Sequence, residues 1–160
     1  MNIIKVGMAD LQVGKDPCMI TTLGLGSCVG ISLFDRSTKI SGMAHIMLPY
    51  SKQARDNSNV AKFADTGIVQ LLNSMLRLGA NRGMIVAKLA GGAQMFAFKN
   101  VTDIMRIGDR NVDASKEILA MLRIPVLSED VRGNYGRTVE LYSNDGSVLI
   151  KTIGHGNRSL

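Results

Sequence analysis

The centre of the fold is set by the segment Cys28-Val-Gly-Ile-Ser-Leu-Phe-Asp-Arg-Ser-Thr-Lys-Ile-Ser-Gly-Met-Ala-His-Ile-Met-Leu-Pro49. Two apolar runs, residues 29–34 and 40–48, are separated by a short polar turn. Apolar runs bounded by turn residues predict strands, and two strands joined by a short turn predict a hairpin. A hairpin places the start of its first strand beside the end of its second. The segment therefore predicts that Cys28 and His45 lie close together at one end of a sheet.

The sequence on either side predicts more strands and two helices. Apolar residues at three- and four-residue spacing predict a helix over residues 60–78, ending near Gly79, and a shorter one over 113–123. Strands are predicted over residues 3–6, 19–22 and 84–90, and another begins at residue 125. Two more, over residues 137–142 and 148–153, flank the turn Asn144-Asp145-Gly146 and predict a second hairpin. This mixture of elements predicts an α+β or α/β fold with helices packed on a sheet.

Length and composition predict one domain spanning residues 1–160, with residues 154–160 as a loose tail. Apolar residues make up 46% of the chain, which is ordinary for a globular protein. The first residues do not resemble a signal peptide, and no apolar run approaches the roughly 20 residues of a membrane span. We therefore expect a cytoplasmic protein without membrane insertion, in which both cysteines stay reduced.

The formal charge of +6 is compatible with two classes of binding partner. A basic surface can bind nucleic acid, or it can attract an acidic protein. The lysines and arginines are scattered, aromatic residues make up only 4%, and no nucleic-acid motif is present. The composition favours a solvated surface with a mild preference for acidic proteins, and no nucleic-acid partner is expected.

Cys28 and His45 are also a chemical pair. A free thiol has a pKa of about 8.5, and an imidazole with a pKa of about 6.5 is well suited to remove its proton. Together they could form the core of a cysteine-dependent amide hydrolase. Spacing alone leaves a plainer interpretation open, in which Cys28 is a small buried apolar residue and His45 a hydrogen-bonded core histidine.

A zinc site would need Cys18, Cys28, His45 and His155 to converge, and none of them stands in a short paired spacing. No metal or cofactor is therefore expected. Cys18 is interpreted as structural, and His155 as an exposed residue near the chain's end.

The sequence motifs that contain Cys28 and His45, together with three further motifs, resemble those of a known family. Five blocks in order, over residues 3–154, match the chemoreceptor glutamine deamidases of the CheD family. The blocks are Thr22-Leu-Gly-Leu-Gly-Ser-Cys-Val29, Met43-Ala-His-Ile-Met-Leu-Pro49, Lys62-Phe-Ala-Asp-Thr66, Lys88-Leu-Ala-Gly-Gly-Ala-Gln-Met-Phe96 and Ile107-Gly-Asp-Arg-Asn-Val112. The resemblance implies a layered α/β/β sandwich, similar to the catalytic domains of bacterial toxins that deamidate glutamine.

The resemblance also implies roles for individual residues. Cys28 would be the nucleophile and His45 the general base and acid. Thr22 would orient the imidazole; the adjacent Thr21 is distinguished from it only by alignment. The backbone N–H of Cys28, a neighbouring N–H in the glycine turn and the Ser27 hydroxyl are candidate donors to the oxyanion.

The implied activity is conversion of glutamine to glutamate on methyl-accepting chemotaxis receptors, with the phosphatase CheC as a regulatory partner. Residues 49–59 are expected to form part of the substrate-facing rim or a plain surface loop, and residues 96–107 are where a CheC contact is expected. Two alternatives remain: a mainly non-catalytic regulator that binds CheC and receptors, and a receptor methylesterase or general thiol amidase.

Overall fold

The structure of the protein is a computed structural model that describes residues 1–95 and 106–160. In those residues, five strands come first, two α-helices then flank a sixth strand, and four more strands follow. The strands are β1 Asn2–Val6, β2 Asp10–Gly14, β3 Cys18–Leu25, β4 Val29–Asp35, β5 Ser41–Ile46, β6 Ile85–Gly91, β7 Val126–Val131, β8 Arg137–Tyr142, β9 Val148–Thr152 and β10 Gly156–Ser159. The α-helices are α1 Ala64–Arg77 and α2 Ile107–Met121.

The strands form two mixed sheets. The central sheet has the order β2-β5-β4-β6-β7, and the outer sheet has the order β1-β3-β8-β9-β10. In each sheet one pair is parallel, β6 with β7 and β1 with β3, and the other described pairs are antiparallel. The predicted α+β class is therefore confirmed.

The sheets and helices stack in three layers. The central sheet lies in the middle, because apolar clusters cover both of its faces. Val29, Ile31 and Ile46 share one apolar cluster with residues of α1 and α2. Cys28 and Met43 instead belong to a second cluster, shared with the inward-facing residues of the outer sheet. The order is thus helices, central sheet, outer sheet, which is the α/β/β arrangement. A strand covered on both faces has no polar face, which explains the nearly continuous apolar runs of β4 and β5.

The predicted hairpin is present as β4 and β5. Val29 pairs with Ile46 and Gly30 with His45 in an antiparallel ladder. At the far end of the hairpin, the buried Asp35 carboxylate accepts hydrogen bonds from the backbone N–H groups of Ser37 and Thr38. The turn is therefore fixed by its own polar residues, and the register places Cys28 and His45 at the opposite end.

Both predicted helices exist, but their starts differ from the prediction. Residues 60–62 form a short 3-10 turn before α1, and α2 begins at Ile107 where 113 was predicted. The first turns of α2 contain Gly108 and Asn111, which have low helix propensity. Gly108 is accommodated because the helix lies close to distant backbone at this point: a Cβ on Gly108 would lie 2.5 Å from the Ala93 carbonyl oxygen.

The expectation of a loose tail at residues 154–160 is wrong for most of that segment. Gly156–Ser159 forms β10, antiparallel to β9, and the ammonium group of the half-buried Lys88 donates to the Leu160 carbonyl oxygen at 2.8 Å. Strand β2 was not predicted either. Both are edge strands held by backbone hydrogen bonds, which leave no strong apolar pattern in the sequence. The expected CheC contact at residues 96–107 falls almost entirely outside the described residues.

Candidate active site

Cys28 lies on a backbone turn that accepts hydrogen bonds from the residues directly after β6. The Gly92 N–H donates to the Cys28 carbonyl at 2.8 Å, and the Ala93 N–H donates to the Gly26 carbonyl at 2.9 Å. Gly91 makes this approach possible: its φ is +103°, and a Cβ there would lie 2.3 Å from the Cys28 carbonyl oxygen. The glycines that end β6 therefore let a second chain segment support the turn carrying the thiol.

His45 lies on the same face of the central sheet as Cys28. Gly30 pairs directly with His45, and Cys28 precedes Gly30 by two residues, so its side chain is the diagonal neighbour of the imidazole. Gly30 itself contributes no side chain between them. Both side chains are buried, with His45 only 1% and Cys28 8% exposed.

Thr22 reaches the imidazole from the outer sheet. Its Oγ1 lies 2.8 Å from His45 Nδ1, and the same hydroxyl donates to the Val6 carbonyl at 2.8 Å. A hydroxyl has one hydrogen, so Thr22 must accept from Nδ1–H of a neutral imidazole. The lone pair of that ring is then on Nε2, which is buried and has no hydrogen-bond partner in the described part of the chain.

The two adjacent threonines have different surroundings. The hydroxyl of Thr21 donates to the Val139 carbonyl at 2.9 Å within the outer sheet, whereas the Thr22 side chain faces the central sheet. The structure thus brings Thr22, and not Thr21, to the histidine. Neighbouring residues of a strand point to opposite faces, so only one of them could do so.

A buried amide, which no sequence pattern singled out, joins the segment before Cys28 to the segment after His45. Asn111 in α2 is fully buried, and its Nδ2 donates to the Ser27 carbonyl at 3.0 Å and to the Met47 carbonyl at 2.9 Å. Asn111 does lie in the block at residues 107–112, but the predicted helix began after that block.

Burial determines the resting charge of the pair. It raises the pKa of the Cys28 thiol above its ordinary value, against a smaller opposite effect of the residue's own backbone N–H. It also lowers the pKa of His45. Both shifts favour the uncharged forms near neutral pH, a neutral thiol and a neutral imidazole.

The other cysteine and histidine lie in different places. Cys18 is a free, buried residue of the core between the sheets, and Cys28 is free as well. His155 is exposed and stacks on the ring of Tyr135 at 4.1 Å. Within residues 1–95 and 106–160, no three His, Cys, Asp or Glu side chains are grouped as metal ligands.

The loop expected at the rim lines a cleft of about 440 Å³ together with the start of α2. Leu48 and Pro49 line it on one side and Ile107 and Arg110 on the other. The Arg110 guanidinium donates to Gln53 Oε1 at 3.0 Å, which ties this loop to α2. No helix in the described part of the chain is long and apolar enough to cross a membrane.

Comparison with known proteins identifies close relatives. The family model described as CheD chemotactic sensory transduction matches residues 47–152. The probable chemoreceptor glutamine deamidase CheD of Caldanaerobacter subterraneus subsp. tengcongensis is 60% identical over 154 residues, covering 96% of this chain and 95% of the relative. The chemoreceptor glutamine deamidase CheD of Halalkalibacterium halodurans is 48% identical over 160 residues, covering 99% of each.

Solved structures give more distant matches. The hypothetical protein YfiH of Bacillus licheniformis aligns with a TM-score of 0.48 and 16% identity, covering 76% of this chain and 49% of that one. The Neisseria meningitidis protein NMB0706 aligns with a TM-score of 0.48 and 11% identity, covering 84% of this chain and 63% of that one. The chain thus spans about half the length of the first protein and under two thirds of the second.

Proposed function

The chain belongs to the CheD family, and we propose that it is a cytoplasmic protein-glutamine deamidase acting on methyl-accepting chemotaxis receptors, with Cys28 as nucleophile. The names of its relatives support the reaction and the substrate class. The observation that carries the mechanism is the contact of 2.8 Å between Thr22 Oγ1 and His45 Nδ1, because it leaves Nε2 free to take a proton.

The first half of the reaction forms a thioester. The Cys28 sulfur bonds to the Cδ atom of the receptor glutamine while its proton passes to His45 Nε2. The tetrahedral intermediate then breaks its Cδ–N bond, and the imidazolium gives its proton to the leaving nitrogen, which departs as ammonia. Proton transfer by a placed side chain accelerates such steps by about 10²–10⁴-fold.

The second half releases glutamate. A water molecule loses a proton to His45 Nε2 and attacks the thioester carbon. The carbon–sulfur bond then breaks, and the imidazolium returns its proton to the leaving sulfur, which restores the Cys28 thiol. In both halves negative charge develops on the carboxamide oxygen. The backbone N–H of Cys28 and the Ser27 hydroxyl are our candidates to stabilise it, and such donors contribute about 10²–10³-fold each.

The role of Thr22 in this scheme is to orient the ring. Its hydroxyl already donates to Val6, so it can accept only from Nδ1–H and keeps the imidazole in the tautomer that is basic at Nε2. A hydroxyl provides no negative charge to stabilise an imidazolium. This fits a site in which His45 is neutral at rest and charged only during proton transfer.

Mass spectrometry of a receptor cytoplasmic fragment tests the proposal. We expect site-specific conversion of glutamine to glutamate by the native chain and none by Cys28→Ala. Cys18→Ala is the matched control, because it removes the other buried thiol and should keep its activity. Equal conversion by Cys28→Ala and the native chain would contradict the mechanism.

The same assay distinguishes the alternatives. Loss of methanol from methylated receptors without any change at glutamine would indicate a methylesterase. Retained binding to receptors or CheC, with neither reaction, would indicate a regulator without catalytic activity.

A further inference from the structure

We infer that Asn111 is a positioning residue that holds the thiol-bearing turn against the histidine strand; the inference rests on the proposed function. The β4–β5 ladder ends at the pair Val29–Ile46. Beyond that pair the two chains continue toward Ser27 and Met47, and the amide of Asn111 links the two carbonyls that face it there.

The chemistry of the contact explains why an amide is needed. The carbonyls of Ser27 and Met47 are both acceptors, so they cannot bond to each other, whereas an NH₂ group has two hydrogens to share between them. A carboxylate has no hydrogen to offer, and a hydroxyl has only one. The two bonds, at 3.0 and 2.9 Å, also fix the orientation of the amide, since the reverse would set its oxygen against two carbonyl oxygens.

In the part of the chain that the structure describes, the fixed orientation of the amide leaves its oxygen unpaired, an energetic cost that a purely structural residue would not need. Asn111 Oδ1 is buried without a hydrogen-bond partner among the described residues. Leaving a buried acceptor unpaired is unfavourable, and such groups are uncommon in native structures. An apolar residue here would avoid that cost for Oδ1 but would lose the link between the two segments.

The link lies next to the reacting groups without reaching them. Ser27 is adjacent to Cys28, and Met47 is two residues from His45, so Asn111 controls the separation of nucleophile and base through their own backbones. A shift of about 1 Å between reacting groups can reduce a rate by about 10²-fold. We therefore expect Asn111 to affect the chemical step and not substrate binding.

A double-mutant cycle on thiol alkylation tests this directly. In a Cys18→Ala background, Cys28 is the only thiol, and iodoacetamide reports its reactivity without any receptor. We expect His45→Ala to slow alkylation about tenfold or more when Asn111 is present, and less than about twofold in Asn111→Ala, because the pair is already separated. An equal effect of His45→Ala in both backgrounds would overturn the inference.

Steady-state deamidation supplies the second test. Asn111→Ala is expected to lower kcat by about 10- to 100-fold with KM unchanged, and Asn111→Ser, which retains one donor, should lower it less. Ser115→Ala is the matched control: its buried hydroxyl donates to the Asn111 carbonyl within α2, at 2.7 Å, and so is not the group that joins Ser27 to Met47. An equal loss of kcat in Ser115→Ala would mean that α2 stability, and not the amide link, is responsible.

The two tests separate this inference from the proposed function. If the alkylation cycle shows coupling but no receptor glutamine is converted, Asn111 still positions the pair and the substrate assignment is wrong. If His45→Ala does not change alkylation even with Asn111 present, the pairing of Cys28 and His45 itself is refuted, and this inference with it.

Discussion

Thr22 and His45 belong to different sheets, yet Thr22 Oγ1 lies 2.8 Å from His45 Nδ1 across the interface between them. The contact is buried on both sides, with each residue only 1% exposed. The Thr22 hydroxyl donates its hydrogen bond to the Val6 carbonyl, so it can only accept from His45 Nδ1–H. Packing of the outer sheet on the central sheet therefore sets the tautomer of the histidine. The tautomer of His45 in the proposed site is thus fixed by the same packing that forms the folded state.

Removal of this hydroxyl should reduce turnover. Thr22→Val keeps the shape of the side chain but leaves Nδ1–H without an acceptor, so we expect kcat to fall by about 10- to 100-fold. Thr22→Ser keeps the hydroxyl and should retain most activity. Thr21→Val is the matched control, because its hydroxyl donates only to Val139 in the outer sheet. Similar losses in Thr21→Val and Thr22→Val would refute the orienting role.

The pH dependence of turnover should follow the buried pair. Burial lowers the pKa of His45, so its neutral, basic form persists into more acidic solution than an exposed histidine allows. We therefore expect the acidic limb of kcat/KM to lie below about pH 6.5. Burial also raises the pKa of Cys28, so thiol alkylation should accelerate only in alkaline solution. Rapid alkylation at pH 6 would instead indicate a preformed thiolate–imidazolium pair.

Gly91→Ala should disturb the nucleophile turn. The new Cβ would lie 2.3 Å from the Cys28 carbonyl oxygen, and the φ of +103° is strained for any residue with a side chain. We expect a loss of about 1–3 kcal/mol in the free energy of unfolding and a fall in kcat of about tenfold or more. Gly7→Ala, where a Cβ meets nothing within 4 Å, is the control measured by the same urea unfolding and activity assays. Native activity in Gly91→Ala would show that the turn does not depend on this support.

Asp35 should stabilise the hairpin in a pH-dependent way. Burial alone would raise its pKa, but hydrogen bonds from Asn81, Ser37 and Thr38 outweigh that effect and hold the pKa well below its usual range. The folded state therefore binds this proton more weakly than the unfolded chain. The stabilisation is complete above the unfolded-state pKa of about 3.9 and is lost as pH falls through the lower folded-state pKa.

Urea unfolding checks this prediction. Asp35→Asn should lower the free energy of unfolding by about 2 kcal/mol at pH 7, and the difference from the native chain should shrink in strongly acidic solution. Asp56→Asn, at an exposed loop position, is the control and should change little. A difference for Asp35→Asn that is independent of pH would mean that its charge does not contribute.

The parts of the fold that were predictable are those where side-chain pattern and local turn chemistry agree. The hairpin around Asp35 has both, so its presence and the proximity of Cys28 and His45 followed from the sequence. Thr22 required the family resemblance, because no local pattern distinguishes it from Thr21. Only the packing of one sheet on the other shows which hydroxyl faces the histidine.

The parts that were missed depend on contacts distant in sequence. The start of α2 contains poor helix formers whose contacts are with distant backbone: Gly108 lies close to the Ala93 carbonyl, and Asn111 donates to the Ser27 carbonyl. Edge strand β10 is held by backbone pairing to β9, with all four of its residues exposed. Neither contact leaves a periodic signal in the sequence, so pattern analysis could not find them.

Trapping the thioester tests the central claim most directly. A receptor fragment and the native chain, quenched with acid during turnover and digested, should yield one crosslinked peptide whose mass is the sum of the Cys28 peptide and a receptor glutamine peptide, less ammonia. The crosslink should disappear in Cys28→Ala and remain in Cys18→Ala. Glutamine conversion at the native rate in Cys28→Ala, or a crosslink at Cys18, would contradict the account.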